Sequence, residues 1–177
     1  MAALIAGRTA SEMPGLDIAE QKSWQNFLDS TLRLYSTLNR RLTDAHQLSL
    51  FDVRVLDILD NAPTGCARMG DLAEALPSLP SRLTRQIRRL EGQGLVRREA
   101  SCDDRRGVFA VITDAGRAAV RQAMVTYAEG VRTYFLGQLS RPQIAAMGEN
   151  CQRISAGLKL SNRASKTGGQ AGGAAAQ

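Results

Sequence analysis

Between Leu76 and Thr113 the chain sets three kinds of local pattern in a fixed order, and that order restricts the folds open to it. First comes Pro77-Ser78-Leu79-Pro80, a tight turn in which Ser78 suits an N-cap and Pro80 the first turn of a helix. In the helix that follows, Leu83, Ile87 and Leu90 fall at i, i+4 and i+7 and make an inward stripe. Ser81, Arg82, Arg85, Gln86 and Arg89 lie on the other side. Gly92 and Gly94 close the helix. Two short apolar runs, Leu95–Arg98 and Val108–Thr113, flank the polar segment Ser101 to Gly107, which reads as a hairpin. A short helix with Met69, Leu72, Ala73 and Leu76 precedes the turn.

A helix with an apolar back and a front of long polar side chains is what a major-groove reader needs. Arginine forks onto guanine and glutamine onto adenine. The same helix alone would serve equally as a solvated basic face. The short helix and turn before it and the basic hairpin after it shift the balance toward a winged helix-turn-helix. Charge agrees. The formal net charge is +6, and the stretch from Ser81 to Arg106 holds eight arginines against four acids and no lysine, so much of the excess sits here. In the hairpin, Arg105 and Arg106 fall at the tip, where arginine can enter a narrow minor groove. Asp103, two residues before Arg105, can hold it by a charge-assisted hydrogen bond. A solvated turn of mixed charge is the alternative for that loop.

Elsewhere the pattern is helical. Residues 1–16 read as a flexible arm. From Asp17 to His46, Trp24, Leu28, Thr31, Tyr35, Leu38 and Leu42 recur at three- and four-residue steps and predict one long amphipathic helix. Ser49 with Asp52 resembles a capping box opening a second helix to about Leu59, ended by Asn61-Ala62-Pro63. Thr113 caps a fifth helix to about Leu136, and Ser140 with Gln143 caps a sixth. In that last helix Ile144, Met147, Cys151, Ile154 and Leu158 step 3-4-3-4, a narrow seam fit for a partner helix. From Ser161 onward Gly, Ala, Ser and Gln dominate, and a disordered tail is expected over 161–177. The expected fold is mainly α with a small β-hairpin wing, in the order α-α-α-α-β-β-α-α.

The residues Ser81-x-x-Thr84-Arg85-x-Ile87-x-x-Leu90-Glu91-x-x-Gly94-Leu95-Val96-x-Arg98 resemble the recognition-helix signature of the MarR family. Asp103-x-Arg105, with Val111-Ile112-Thr113-x-x-Gly116-Arg117 after it, is similar to the wing and the following helix of that family. Register holds from about Leu50 to Arg117, and helical order extends the likeness to about Lys159. Pro80 departs from it, since the family often has a polar residue there, and proline has no side-chain group to hydrogen-bond a base. The resemblance implies an obligate homodimer on a pseudo-palindromic double-stranded operator. It implies dimerisation helices over 17–48 and 114–160 and a DNA-binding winged helix-turn-helix over 49–113. It adds Thr84 to the DNA-facing set, and it implies repression relieved by a small aromatic or phenolic anion. The candidate effector residues are Trp24, Phe27, Tyr35, His46, Phe51 and Arg54, of which Arg54 suits a carboxylate and His46 a charge switch near neutral pH. Aromatics at helical spacing serve equally as core, and a lone histidine at a helix end serves as a cap.

Other function classes find little support. No apolar stretch approaches the roughly 18–20 residues of a membrane span, and the N-terminus lacks the pattern of a signal peptide, so a cytoplasmic protein is expected. Cys66, Cys102 and Cys151 are far apart and form no CxxC pair, which predicts reduced thiols, with Cys102 in the wing the one candidate for oxidation. One histidine, and no GxSxG, phosphate-binding or dinucleotide fingerprint, leaves no catalytic site, metal site or cofactor to propose. The remaining alternatives are a non-specific architectural DNA binder, a redox-responsive regulator using Cys102, and a winged-helix protein–protein adaptor.

Overall fold

The computed structural model describes residues 13–76, 80–100 and 108–171. The chain divides into two compact units, Met1–Gly130 and Val131–Gln177.

The first unit begins with α1 (Ile18–His46), whose N-terminus is closed by a capping box. Asp17 accepts from the Glu20 N–H at 2.9 Å, and Glu20 accepts from the Asp17 N–H at 2.8 Å, so two orphan donors are satisfied reciprocally. Gln47, in the left-handed region at φ 56° and ψ 23°, ends the helix. Only Leu38 and Leu42 of α1 are buried. Trp24, Phe27, Leu28, Leu32 and Tyr35 are exposed at 38–57%.

The second helix, α2 (Leu50–Asn61), starts at the Ser49–Asp52 capping box that the sequence predicts. Asn39 of α1 adds a further cap, accepting from the Leu50 N–H at 2.9 Å. One face of α2 is interior: Leu50, Val53, Val55, Leu56 and Leu59 are buried, each contributing about 1.5–3 kcal/mol if fully removed from water. Next comes β1 (Cys66–Arg68), a strand absent from the expected order. It is three residues long and carries no alternating pattern; it exists by pairing antiparallel with β3, Cys66 opposite Val111 and Arg68 opposite Phe109.

After α3 (Met69–Ala75) and α4 (Pro80–Gly92), the strands β2 (Val96–Ala100) and β3 (Val108–Ile112) complete a sheet of order β1-β3-β2. The expected two-stranded hairpin is thus part of a three-stranded antiparallel sheet. Its outer connection, residues 101–107, lies outside the described residues. The expected inward stripe of α4 is buried, with Leu83, Ile87 and Leu90 at 1, 0 and 0% exposure. Gly94, at φ +73°, ends α4. The Leu95 N–H returns to Leu90 O at 3.0 Å, the six-to-one bond of a Schellman motif.

The fifth helix, α5 (Asp114–Tyr134), opens at Thr113, whose Oγ1 accepts from the Gly116 N–H at 3.0 Å. Gly116 is buried, and a Cβ there would overlap Leu95 O and lie 2.8 Å from Ile112 Cγ1. The absence of a side chain therefore lets the start of α5 close onto the sheet.

The second unit holds the end of α5, a 3-10 turn at Leu136–Gln138, and α6 (Arg141–Ala171). Gln143 Oε1 accepts from Ser140 N and Oγ at 2.8 and 2.9 Å, the expected cap. The helix continues to Ala171, past the irregular tail expected from Ser161. Residues 161–167 contain no proline or glycine to stop the helix. Ile154, Leu158 and Leu160 are exposed at 55–68%.

Candidate nucleic-acid interface

Around the axis of α4, residues four and three apart share a face, and the structure resolves three such stripes. Leu83, Ile87 and Leu90 point into the core. Ser81, Arg85 and Arg88 are exposed, and among the described residues none of the three has a hydrogen bond or ion pair. Arg82, Gln86 and Arg89 form the third stripe, and it faces the body of the molecule. Thr84 is half-buried and has a partner of its own.

The third stripe is held by α2. The Arg82 guanidinium carbon lies 5.4 Å from the centre of the Phe51 ring, a cation–π contact. Gln86 Nε2 and Arg89 Nη2 both donate to the carboxylate of Asp52. Asp52 is completely buried, the one charged residue so placed among the described residues. Its Oδ2 also accepts from Ser49 N at 2.7 Å and Ser49 Oγ at 2.6 Å. The carboxylate thus meets four donors, three at Oδ2 and one at Oδ1, and a buried carboxylate is tolerable only when hydrogen-bonded in this way. Arg89 keeps 42% of its side chain exposed.

The outer side that the sequence assigns to Ser81, Arg82, Arg85, Gln86 and Arg89 therefore splits in two. Ser81 and Arg85 stand on the free stripe. Arg82, Gln86 and Arg89 stand on the held one. Arg88, which the sequence reading leaves out, belongs with the free pair; its place at i+7 from Ser81 and i+3 from Arg85 is the available signal. Asp103, Arg105, Arg106 and Cys102 lie outside the described residues.

The rest of the scaffold fixes α4 from its far end. Arg98 of β2 donates from Nε to Glu91 Oε2 at 2.7 Å and from its backbone N–H to Oε1 at 3.2 Å. Thr113 donates to Gly94 O at 2.7 Å, so the turn after α4 is tied to the start of α5. On β2, Arg97 pairs with Glu99 at 2.5 Å.

A groove of about 450 Å³ runs between the C-terminal half of α1, the start of α2 and the held stripe of α4, with Tyr35, Asn39, Phe51, Arg82 and Arg89 on its walls. Of the candidate effector residues, Tyr35 and Phe51 meet there. Trp24 and Phe27 pack against each other, ring centres 6.0 Å apart, about 16 Å up the helix from Tyr35 to Trp24 at 1.5 Å per residue. His46 shares a 2.8 Å hydrogen bond with Thr126 of α5, which ties two helices. Arg54 is exposed on α2 and does not line the groove; the guanidiniums on its wall are Arg82 and Arg89.

Among the described residues no cluster of three or more His, Cys, Asp or Glu is placed to hold a metal ion. No helix among them is long and apolar enough to cross a membrane.

Comparison with known proteins places this arrangement. The family model described as MarR family matches residues 48–108, a span from just before α2 to the first residue of β3. No curated protein matches the chain. Among solved structures, AbsC, a MarR family transcriptional regulator from Streptomyces coelicolor, is 31% identical, with 83% of this chain and 99% of AbsC covered at a TM-score of 0.78. Sco3205, a MarR family transcriptional regulator from the same organism solved in complex with DNA, is 30% identical, with 84% and 92% covered at a TM-score of 0.79. The organohalide-sensing regulator RdhR in its 2,4-dichlorophenol-bound form shares the fold at 16% identity, with 85% and 86% covered and a TM-score of 0.71. With a relative above 30% identity covered almost end to end and a family model on its central segment, the chain belongs to the MarR family of transcriptional regulators.

Proposed function

We propose that this regulator is a homodimer that reads a pseudo-palindromic operator with α4 in the major groove, and that it represses by occupying the promoter until a small aromatic or phenolic anion binds. The observation that carries the reading is the free stripe of α4. Ser81, Arg85 and Arg88 are exposed and unpaired among the described residues, on a helix whose back is locked by three buried side chains. Arginines so placed are pre-positioned for guanine edges and phosphates. Thr84 flanks the stripe, and Arg105 and Arg106, with Asp103 holding Arg105, supply the minor-groove contact.

Dimerisation is supported by the apolar surface of α1. Trp24, Leu28, Leu32 and Tyr35 recur along one side of the helix and are exposed in a single chain, a patch of the kind that marks an interface. The seam on α6 extends the same argument. For the effector, the groove beside α4 joins the Tyr35 and Phe51 rings to the Arg82 guanidinium, which suits a flat anion. RdhR, of the same fold, holds a chlorinated phenol.

Selection of bound sites from random duplexes tests the proposal. An inverted repeat with half-sites about 10–10.5 base pairs apart is the expected result. Binding without enrichment, at a steep salt slope, means an architectural protein. No binding at low salt means an adaptor. Release of the selected duplex by benzoate or phenol tests the effector.

A further inference from the structure

We infer that Asp52 is a specificity-determining positioning residue: it withholds Gln86 and Arg89 from DNA and thereby leaves Ser81, Arg85 and Arg88 as the reading face of α4. The inference rests on the proposed use of α4 as the recognition helix.

A basic amphipathic helix does not choose one of its polar faces by itself. Gln86 and Arg89 have the chemistry of base readers, and they are offset from Arg85 by one and four residues. Rotation of α4 by about 100°, the angle between successive residues of a helix with 3.6 per turn, would exchange one stripe for the other. The buried leucines and Ile87 resist that rotation only through shape. Asp52 adds a directional restraint. Its carboxylate is fully buried, sits at the third position of α2 in a capping box, and is oriented by two bonds from Ser49. The same carboxylate takes both contacts from α4, Gln86 at Oδ1 and Arg89 at Oδ2. The Arg89 charge is thereby neutralised inside the protein although 42% of its side chain is exposed. Asp52 itself never reaches DNA.

The salt dependence of DNA binding tests this, because the slope of log affinity against log salt counts phosphates neutralised, about 0.9 for each, and does not depend on what fraction of a preparation is folded. The full-length protein is used with its selected duplex. Asp52→Asn keeps the shape and removes the charge. Its slope steepens by about 0.9 per recognition helix as Arg89 is released, and Asp52→Asn/Arg89→Gln returns to the wild-type slope. A merely structural Asp52 lowers the melting temperature and leaves both slopes at the wild-type value, which overturns the inference. Should Asp52→Asn not fold, two variants that keep Asp52 decide. Arg89→Gln leaves the wild-type slope unchanged, while Arg88→Gln makes it shallower by about 0.9 per helix; equal loss in both overturns the inference and leaves DNA binding by α4 intact. If neither Arg85→Gln nor Arg88→Gln alters affinity or slope, α4 does not face DNA, and the parent reading falls with this one.

Discussion

Arg117 Nη1 donates to Asp60 Oδ1 at 2.5 Å, and the guanidinium reaches that carboxylate by passing over Gly65. The pair joins the first turn of α5 to the last turn of α2, with side chains 31% and 24% exposed. Gly65 stands at φ +68°, and a Cβ there would overlap Arg117 and lie 3.4 Å from Ile112 Cγ2. We expect Gly65→Ala to destabilise the protein by about 1–2 kcal/mol from the left-handed backbone alone, and by more because Arg117 must move. Urea unfolding midpoints check this. In an Arg117→Ala background the steric part disappears, so the two substitutions should be clearly less than additive.

Two glycines at the end of α4 should respond with opposite sign. Gly92 is helical and exposed, and a Cβ added there would meet nothing within 4 Å, whereas Gly94 sits at φ +73°. Gly92→Ala is expected to stabilise by about 0.5–1 kcal/mol, and Gly94→Ala to destabilise by about 1–2 kcal/mol. Thermal melts of the two variants distinguish them directly.

Gly116→Ala forces a methyl group against the Leu95 carbonyl oxygen. Backbone cannot yield as a side chain does, so the expected cost is about 1–3 kcal/mol or more. A melting temperature equal to wild type would contradict the packing of α5 on the sheet.

Thr113 uses one hydroxyl for two bonds, donating to Gly94 O and accepting from the Gly116 N–H. Thr113→Val keeps the shape and removes both. A loss of about 1–2 kcal/mol is expected, a fall of roughly 2–8 °C in Tm for a chain of this size.

Leu32 is 57% exposed in the single chain, midway along the apolar surface of α1. If that surface is the dimer contact, Leu32→Asp should shift sedimentation from two chains to one and weaken operator binding together. A dimer unaffected by the change would move the interface elsewhere.

Local features are legible in the sequence. The capping box at Ser49–Asp52, the Gln143 contact that caps Ser140, the Thr113 cap and the buried stripe of α4 depend on neighbours within one or two turns, and each is found where the sequence puts it. The strand at Cys66–Arg68 is not legible, because three residues pair with a segment more than forty positions away. The division of α4's polar side is hidden for the same reason. Asp52 announces itself as a helix cap, and nothing in its sequence surroundings reveals that Gln86 and Arg89 will find the same carboxylate. The groove likewise needs Tyr35, Phe51 and Arg82 brought together from three helices.

The separation of stripes on α4 also bears on how such a regulator acquires new targets. Ser81, Arg85 and Arg88 are exposed and make no side-chain hydrogen bond or ion pair among the described residues, so replacing them should change stability by no more than about 0.5 kcal/mol. Arg82, Gln86 and Arg89 have no such freedom, since each is anchored to α2. If α4 reads DNA as proposed, target preference can drift through three positions while the scaffold stays under constraint at the other three, and a duplicated copy could diverge in what it reads without first passing through an unfolded ancestor.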